Sequence, residues 1–256
     1  MRSLISLLPF VVLSCAGAPE HTADPMDTPA AEPAVPGQPV RIHPVHHSAL
    51  VLEWNKLVVY VDPHDGAARF KGYAPPDLVL ITDIHGDHMD PATLHELDLG
   101  KARIIAPQAV LDQLPEDLKQ KTTPLANGAS MELSGIGIEA IPMYNMPDPN
   151  DKRHPKGRGN GYVLTMGGQR IYISGDTEDI PEMRALRNID VAFVCMNLPY
   201  TMTVDQAASV VLAFKPRVVY PYHYRGTEGL SDVARFKQLV NAGDPAIEVR
   251  LEDWYK

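Results

Sequence analysis

Asp83, His85, Asp87 and His88 place four potential metal ligands within six residues, in the stretch Thr82-Asp83-Ile84-His85-Gly86-Asp87-His88. In an extended loop Asp83 and His85 point the same way, toward one ion. Gly86 lets the backbone turn sharply, so that Asp87 and His88 can address a second ion nearby. Imidazole nitrogen and carboxylate oxygen together suit Zn²⁺, Mn²⁺ or Fe²⁺ better than Ca²⁺, which prefers an all-oxygen shell. A polar turn with a helix cap would account for Asp90 but not for two histidines and two acids together.

The elements that must position this stretch are legible around it. Leu78–Thr82, immediately before the ligands, reads as a buried strand, and Asp90-Pro91 after them offers an N-cap followed by proline at the first helical position. Further strands are expected at Ala49–Glu53, Leu57–Val61, Ile104–Ala106, Ile136–Ile141, Tyr162–Met166, Arg170–Ser174, Val191–Met196 and Val218–Tyr220, all apolar and rich in β-branched residues. Gly167-Gly168 marks a hairpin between two of them. Thr203 with Gln206 fits a capping box ahead of Ala207–Phe214, and Ser231 is expected to cap a helix over Asp232–Val240. Strands that give way to helices, twice over, predict a layered α/β sandwich.

Three more polar residues sit beside apolar strands. Asp176 follows Ile171-Tyr172-Ile173, and His223 follows Val218-Val219-Tyr220-Pro221-Tyr222. His154 lies in the glycine-rich loop Asp148–Gly161, ahead of the strand that begins at Tyr162. With the first cluster they form a converging set.

That set resembles the metallo-β-lactamase superfamily, a four-layer αββα sandwich, and within it the UlaG-like group of metal-dependent hydrolases. The family signature is His-x-His-x-Asp-His after a strand, and Thr82–His88 matches it at every ligand position but the first, where Asp83 stands for histidine. Ser174-Gly175-Asp176-Thr177 resembles the bridging-aspartate motif, His154 the third histidine of the first site, and His223 the last histidine. The resemblance implies two divalent ions, zinc foremost with manganese or iron as alternatives. Asp83, His85 and His154 would hold the first, Asp87, His88 and His223 the second, and Asp176 would lie between them. His47 and Asp62 match residues that support the ligands from behind. The carboxylate at position 83 lowers the charge of such a site and favours harder ions.

Two ions roughly 3.5–4 Å apart can share a hydroxide that is nucleophilic at neutral pH. The implied activity is hydrolysis of an ester, lactone or phosphodiester, with Asp87 and Asp176 at its centre. Tyr144, Asn145, Lys156, Arg158, Tyr222 and Arg225 flank the ligand loops and are candidates to bind the substrate; their basic members suit an anionic small molecule or lipid. The rival reading is a catalytically silent envelope lipoprotein that keeps the fold as a binding module. Cys195, inside an apolar strand, is expected to be a core residue.

The chain has 256 residues, 45% of them hydrophobic, and carries 32 acidic against 23 basic side chains for a net charge of −9. That balance opposes a nucleic-acid partner, which requires a basic face. Residues 1–14, a basic start followed by a short apolar core, read as a signal peptide, and Val12-Leu13-Ser14-Cys15 resembles a lipoprotein processing site. Cys15 would then carry the lipid as the sole membrane attachment. Ala16 after it implies the periplasmic side of an outer membrane. Residues 15–40, rich in Pro, Ala and acids, read as a flexible tether. The hydrolase domain is expected over residues 41–256, about 215 residues, an ordinary single-domain length.

Overall fold

The computed structural model describes residues 39–148 and 151–255. The signal peptide, Cys15 and nearly all of the tether expected from the sequence lie outside the described residues.

Two mixed sheets form the centre. The first runs in chain order from β1 (Arg41–His46) through β2 (Ala49–Trp54), β3 (Leu57–Val61), β4 (Leu78–Leu80) and β5 (Arg103–Ala106) to β6 (Thr122–Pro124). The second begins with β7 (Ser130–Leu133), β8 (Ile136–Met143), β9 (Gly159–Met166) and β10 (Gln169–Ile173), and continues with β11 (Val191–Cys195) and β12 (Val218–Tyr222). A small hairpin, β13 (Arg225–Gly226) and β14 (Gly229–Leu230), follows. β15 (Glu248–Val249) then closes the second sheet beside β12. Gly167 and Gly168 make the turn between β9 and β10, whose ends pair Met166 with Gln169.

Period-2 alternation sorts each strand of the first sheet between two apolar layers. Leu50, Leu52, Val59, Val61, Leu80 and Ile105 join the core shared with the second sheet. Their neighbours Val51, Val58, Tyr60, Val79 and Ile104 meet Leu94, Val110 and Leu118, from helices α1 (Pro91–Glu96), α2 (Gln108–Gln113) and α3 (Glu116–Lys119). On the second sheet Tyr172 meets Phe214, and Met183, Val211 and Phe236 bring in α4 (Pro181–Arg184), α5 (Val204–Phe214) and α6 (Val233–Gly243). The order is helices, sheet, sheet, helices, the αββα sandwich expected.

Local signals hold with small shifts. Asp90 caps α1 by accepting from the amides of Ala92 and Thr93, and Thr203 with Gln206 forms a reciprocal capping box on α5. The cap of α6 is Asp232 rather than Ser231: its carboxylate accepts from Arg235 N–H, while the Ser231 hydroxyl donates to the Met196 carbonyl. β4 stops at Leu80, two residues short of the expected end, because the Thr82 amide turns to a side chain, Asp62.

β3, β4 and β5 are parallel, as are β10, β11 and β12. Their carboxyl ends therefore open on one edge of the sandwich, where crevices in α/β folds collect ligands. Asp62, Thr82–His88, Ser174–Asp176, Met196-Asn197 and His223 all follow directly from these strand ends.

Candidate metal centre

Asp62 ends β3 in a left-handed backbone conformation (φ 44°), which aims its carboxylate across to the β4 loop. Thr82 donates its amide to Oδ1 (2.7 Å) and its hydroxyl to Oδ2 (2.6 Å). His88 places Nδ1 2.8 Å from the same Oδ2. All three residues are fully buried. The carboxylate thus fixes the proton on Nδ1 and turns Nε2 toward the crevice.

Around that Nε2 the remaining donors gather. His223 Nε2 is 3.2 Å away, Asp176 Oδ2 3.5 Å and Asp87 Oδ1 3.9 Å. His223 Nε2 lies 3.1 Å from Asp176 Oδ1 and 3.4 Å from Asp87 Oδ2. Donors bound 2.0–2.1 Å from a tetrahedral ion stand about 3.3–3.4 Å from one another. His88, Asp176 and His223 therefore have the spacing of one coordination shell, with an Asp87 oxygen within 3.9 Å of each imidazole, and Asp83, His85 and His154 form a second cluster of close donors. Asp176 Oδ1 and His154 Nε2 are buried without a hydrogen-bond partner, as lone pairs reserved for a cation would be.

Electrostatics agree. Burial alone would lower the His88 imidazole, but Asp176, Asp87 and Asp62 outweigh it and hold His88 well above its ordinary value. Burial would raise Asp176, yet His223 and His88 hold it well below the usual carboxylate range. A field that draws protons onto imidazoles this strongly favours a divalent ion in the same place.

The other half of the expected site is arranged differently. His154 donates Nδ1–H to Asn145 Oδ1 (3.2 Å), which points its Nε2 at Asp176 Oδ2, 3.4 Å away. Asp83 is fully buried, and Arg158 lies across it as a fork, Nε 3.0 Å from Oδ1 and Nη2 2.8 Å from Oδ2. His85 Nδ1 is also 2.8 Å from Oδ2. Asp83, His85 and His154 are neighbours, but hydrogen bonding and an internal cation already engage both Asp83 oxygens.

A cavity of about 320 Å³ opens above these residues. His85, Asp87, His154 and Asp176 form its floor; Arg153, Asn197 and Tyr200 form its wall. Of the residues expected to bind substrate, Asn145 instead supports this region, holding His154 and the Tyr200 carbonyl. Arg158 is spent on Asp83. Lys156 pairs with Glu182 (2.6 Å) beside the Tyr144 hydroxyl, Tyr222 is buried and accepts the Gly175 amide, and Arg225 stacks on Tyr255. None of these four lines the cavity: Lys156 and Tyr144 are engaged by Glu182 of α4, Arg225 by Tyr255 near the C-terminus, and Tyr222 lies in the core. Arg153 and Tyr200 carried no sequence signal. Asn197 Nδ2 lies 3.5 Å from Asp176 Oδ2, and its only hint was its place just past the end of β11.

His47 sits in the β1–β2 turn with Nε2 3.3 Å from Asp87 Oδ2 and Nδ1 2.9 Å from the Tyr255 hydroxyl. Burial first, then His223, keeps its pKa low despite Asp87, so it is neutral near pH 7. Cys195 is buried, and burial pushes its thiol up to about 12, which removes it as a nucleophile.

A family model for the beta-lactamase superfamily domain matches residues 41–223. The chain belongs to this superfamily. A UPF0173 metal-dependent hydrolase of Pyrococcus abyssi is 30% identical over 83% of this chain and 96% of its own length. Among solved structures, a candidate metal-dependent hydrolase from Parabacteroides distasonis is 38% identical with a TM-score of 0.73, covering 83% of this chain and 92% of the other. A metallo hydrolase from Ignicoccus hospitalis is 25% identical with a TM-score of 0.70, over 84% and 95%.

Proposed function

We propose that this metal-dependent hydrolase cleaves an ester, lactone or phosphodiester bond in a small anionic molecule or lipid. The observation that carries the reading is a single one: a donor cluster with coordination spacing reaches, through Asp87 and Asp176, a cavity that a half-exposed arginine, Arg153, also lines. A divalent ion held by Asp87, His88, Asp176 and His223 would supply Lewis acidity and make water nucleophilic at neutral pH.

The chain's own residues do the rest. Asp62 holds His88 in one tautomer, and His47 steadies Asp87. Arg153 meets the anionic group of the substrate as it enters. Asn197, whose Nδ2 borders both Asp176 and His223, offers a donor toward an oxygen that gains negative charge as the bond is attacked. Overall, water's OH ends on the acyl or phosphoryl centre and its proton on the leaving oxygen.

The test is a screen of protein loaded separately with zinc, manganese and iron against lactones, carboxylic esters and phosphodiesters. Turnover that disappears in Asp87→Ala supports the reading. Arg153→Ala is expected to raise KM about 10- to 100-fold for anionic substrates only, at little cost in kcat. Loaded protein that turns over none of the three classes overturns it.

The sequence of the first fifteen residues supports a second element of the proposal, attachment to the periplasmic face of the outer membrane through a lipid on Cys15. Among the described residues no helix is long and apolar enough to cross a membrane. Cys15→Ala should then move the protein from the membrane fraction to the soluble one; unchanged fractionation would refute the anchor.

A further inference from the structure

We propose that this chain binds one metal ion, in the half formed by Asp87, His88, Asp176 and His223, and that the Asp83–Arg158 pair stands where a second ion would. The inference rests on the metal-binding part of the reading above and departs from the two-ion arrangement that the sequence resemblance implies.

The two halves of the floor are built from different interactions. In the first, His88, Asp176 and His223 stand 3.1–3.5 Å from one another, the spacing of atoms that face a common ion, and Asp87 lies 3.4 and 3.9 Å from the two imidazoles. In the second, the shortest contacts are hydrogen bonds: His85 Nδ1 to Asp83 Oδ2 at 2.8 Å, and the Arg158 fork at 2.8 and 3.0 Å. A carboxylate offers about four lone-pair positions, and three on Asp83 are taken by N–H donors. His154 Nε2 stands closer to Asp176 Oδ2, at 3.4 Å, than to Asp83 Oδ2, at 4.0 Å, so its unpartnered nitrogen borders the half that holds the ion.

Charge leads to the same conclusion. Arg158 is always protonated, and its Nη2 lies 3.5 Å from His85 Nε2, the nitrogen that His85 would have to offer a metal. An ion there would face a guanidinium at close range in a largely buried site, where repulsion is poorly screened. The pair is also neutral as it stands, so no second cation is needed to balance Asp83. The Nη2 donor further reaches the Arg153 carbonyl, which ties the fork to the residue at the cavity wall. The substitution of aspartate for histidine at position 83 and the arginine at 158 thus form one compensated unit.

Metal content settles the matter. The full chain is dialysed against excess Zn²⁺, Mn²⁺ or Fe²⁺, and bound metal is counted per chain with circular dichroism as the check on folding. One equivalent is expected for each ion. It should persist in His85→Ala, an accessible position that tolerates truncation, and vanish in Asp87→Ala. Arg158→Leu should admit a second, weaker equivalent by freeing Asp83. Two equivalents in the wild type, or loss of the equivalent in His85→Ala, would overturn the proposal while leaving the hydrolase reading intact. No second equivalent in Arg158→Leu would overturn the role given to the guanidinium. No bound metal in the wild type would overturn both readings.

Discussion

Asp62 Oδ2 stands 2.8 Å from Nδ1 of His88, and both side chains are completely buried. The contact joins the end of one parallel strand to the loop after the next, and it sets the direction of a ligand nitrogen the aspartate does not touch. Removing it should leave the fold but free the imidazole. Asp62→Asn keeps the shape and replaces a charge-assisted bond with a weaker one. We expect metal affinity to fall about 10- to 100-fold, measured by competition with a chromophoric chelator, with the number of ions bound at saturation unchanged. Unaltered affinity would show that Thr82, 2.9 Å from the same nitrogen, orients the ring alone.

Cys195 tests the claim that no thiol takes part in the chemistry. Its Sγ donates to the Thr177 carbonyl at 3.4 Å, and burial raises the group to about 12. A thiol titrating so high in the fold and near 8.5 unfolded retains its proton only when folded, so its contribution to stability is lost as pH rises above about 8.5. A Cys15→Ser chain should therefore resist an aromatic disulfide reagent at pH 8 and react at once in guanidinium. Rapid labelling of the folded chain would return Cys195 to the list of nucleophiles.

How much of this could be read from the sequence depended on distance along the chain. Thr82–His88 was legible because its ligands are adjacent and its strand is a continuous apolar run. Asp176 and His223 were legible from the same context, a polar residue where a buried strand ends. The fork on Asp83 was not, because Arg158 lies 75 residues away and nothing local marks its destination. Arg153, Asn197 and Tyr200 were missed for a similar reason: loop residues reach the cavity only through the packing of other elements. β1 escaped because Pro44 and two histidines interrupt its apolar pattern, which a strand tolerates at the edge of a sheet, where β1 lies. β6 and β15 are edge strands of three and two residues, too short to leave a periodic signal.

His64 gives a pH dependence with a defined sign. It is buried, its Nδ1–H donates to the Asp62 carbonyl at 2.9 Å, and burial followed by the nearby His88 lowers its pKa despite that bond. As pH falls through about 6.5 the unfolded chain takes up a proton that folded His64 refuses, so stability decreases toward acid, by up to about 1.4 kcal/mol per pH unit. His64→Gln cannot titrate. Other groups titrate in both proteins, so the difference between them isolates His64. The gap in urea midpoint that favours the wild type at pH 7.5 should narrow at pH 5.5. A gap that widened would mean that the fold protonates His64.

Trp254, two residues from the end of the chain, links the core to the metal centre. Its ring is fully buried against Tyr222 and Phe193, with centroids 5.6 and 6.2 Å away. Its carbonyl accepts the His47 amide at 3.3 Å, and the next residue, Tyr255, sets its hydroxyl 2.9 Å from His47 Nδ1. Trp254→Ala should cost about 3–5 kcal/mol in urea unfolding, as large aromatic truncations in cores do. Tyr255→Phe keeps the ring packing and removes only the hydroxyl, so it should cost no more than about 0.5–1.5 kcal/mol. The two variants separate packing from positioning. If the C-terminal segment acts on the site only through the hydrogen bond to His47, metal affinity should fall in Tyr255→Phe despite its near-normal stability. If affinity falls only in Trp254→Ala, the segment serves the site through packing alone, and His47 is held by its place in the β1–β2 turn.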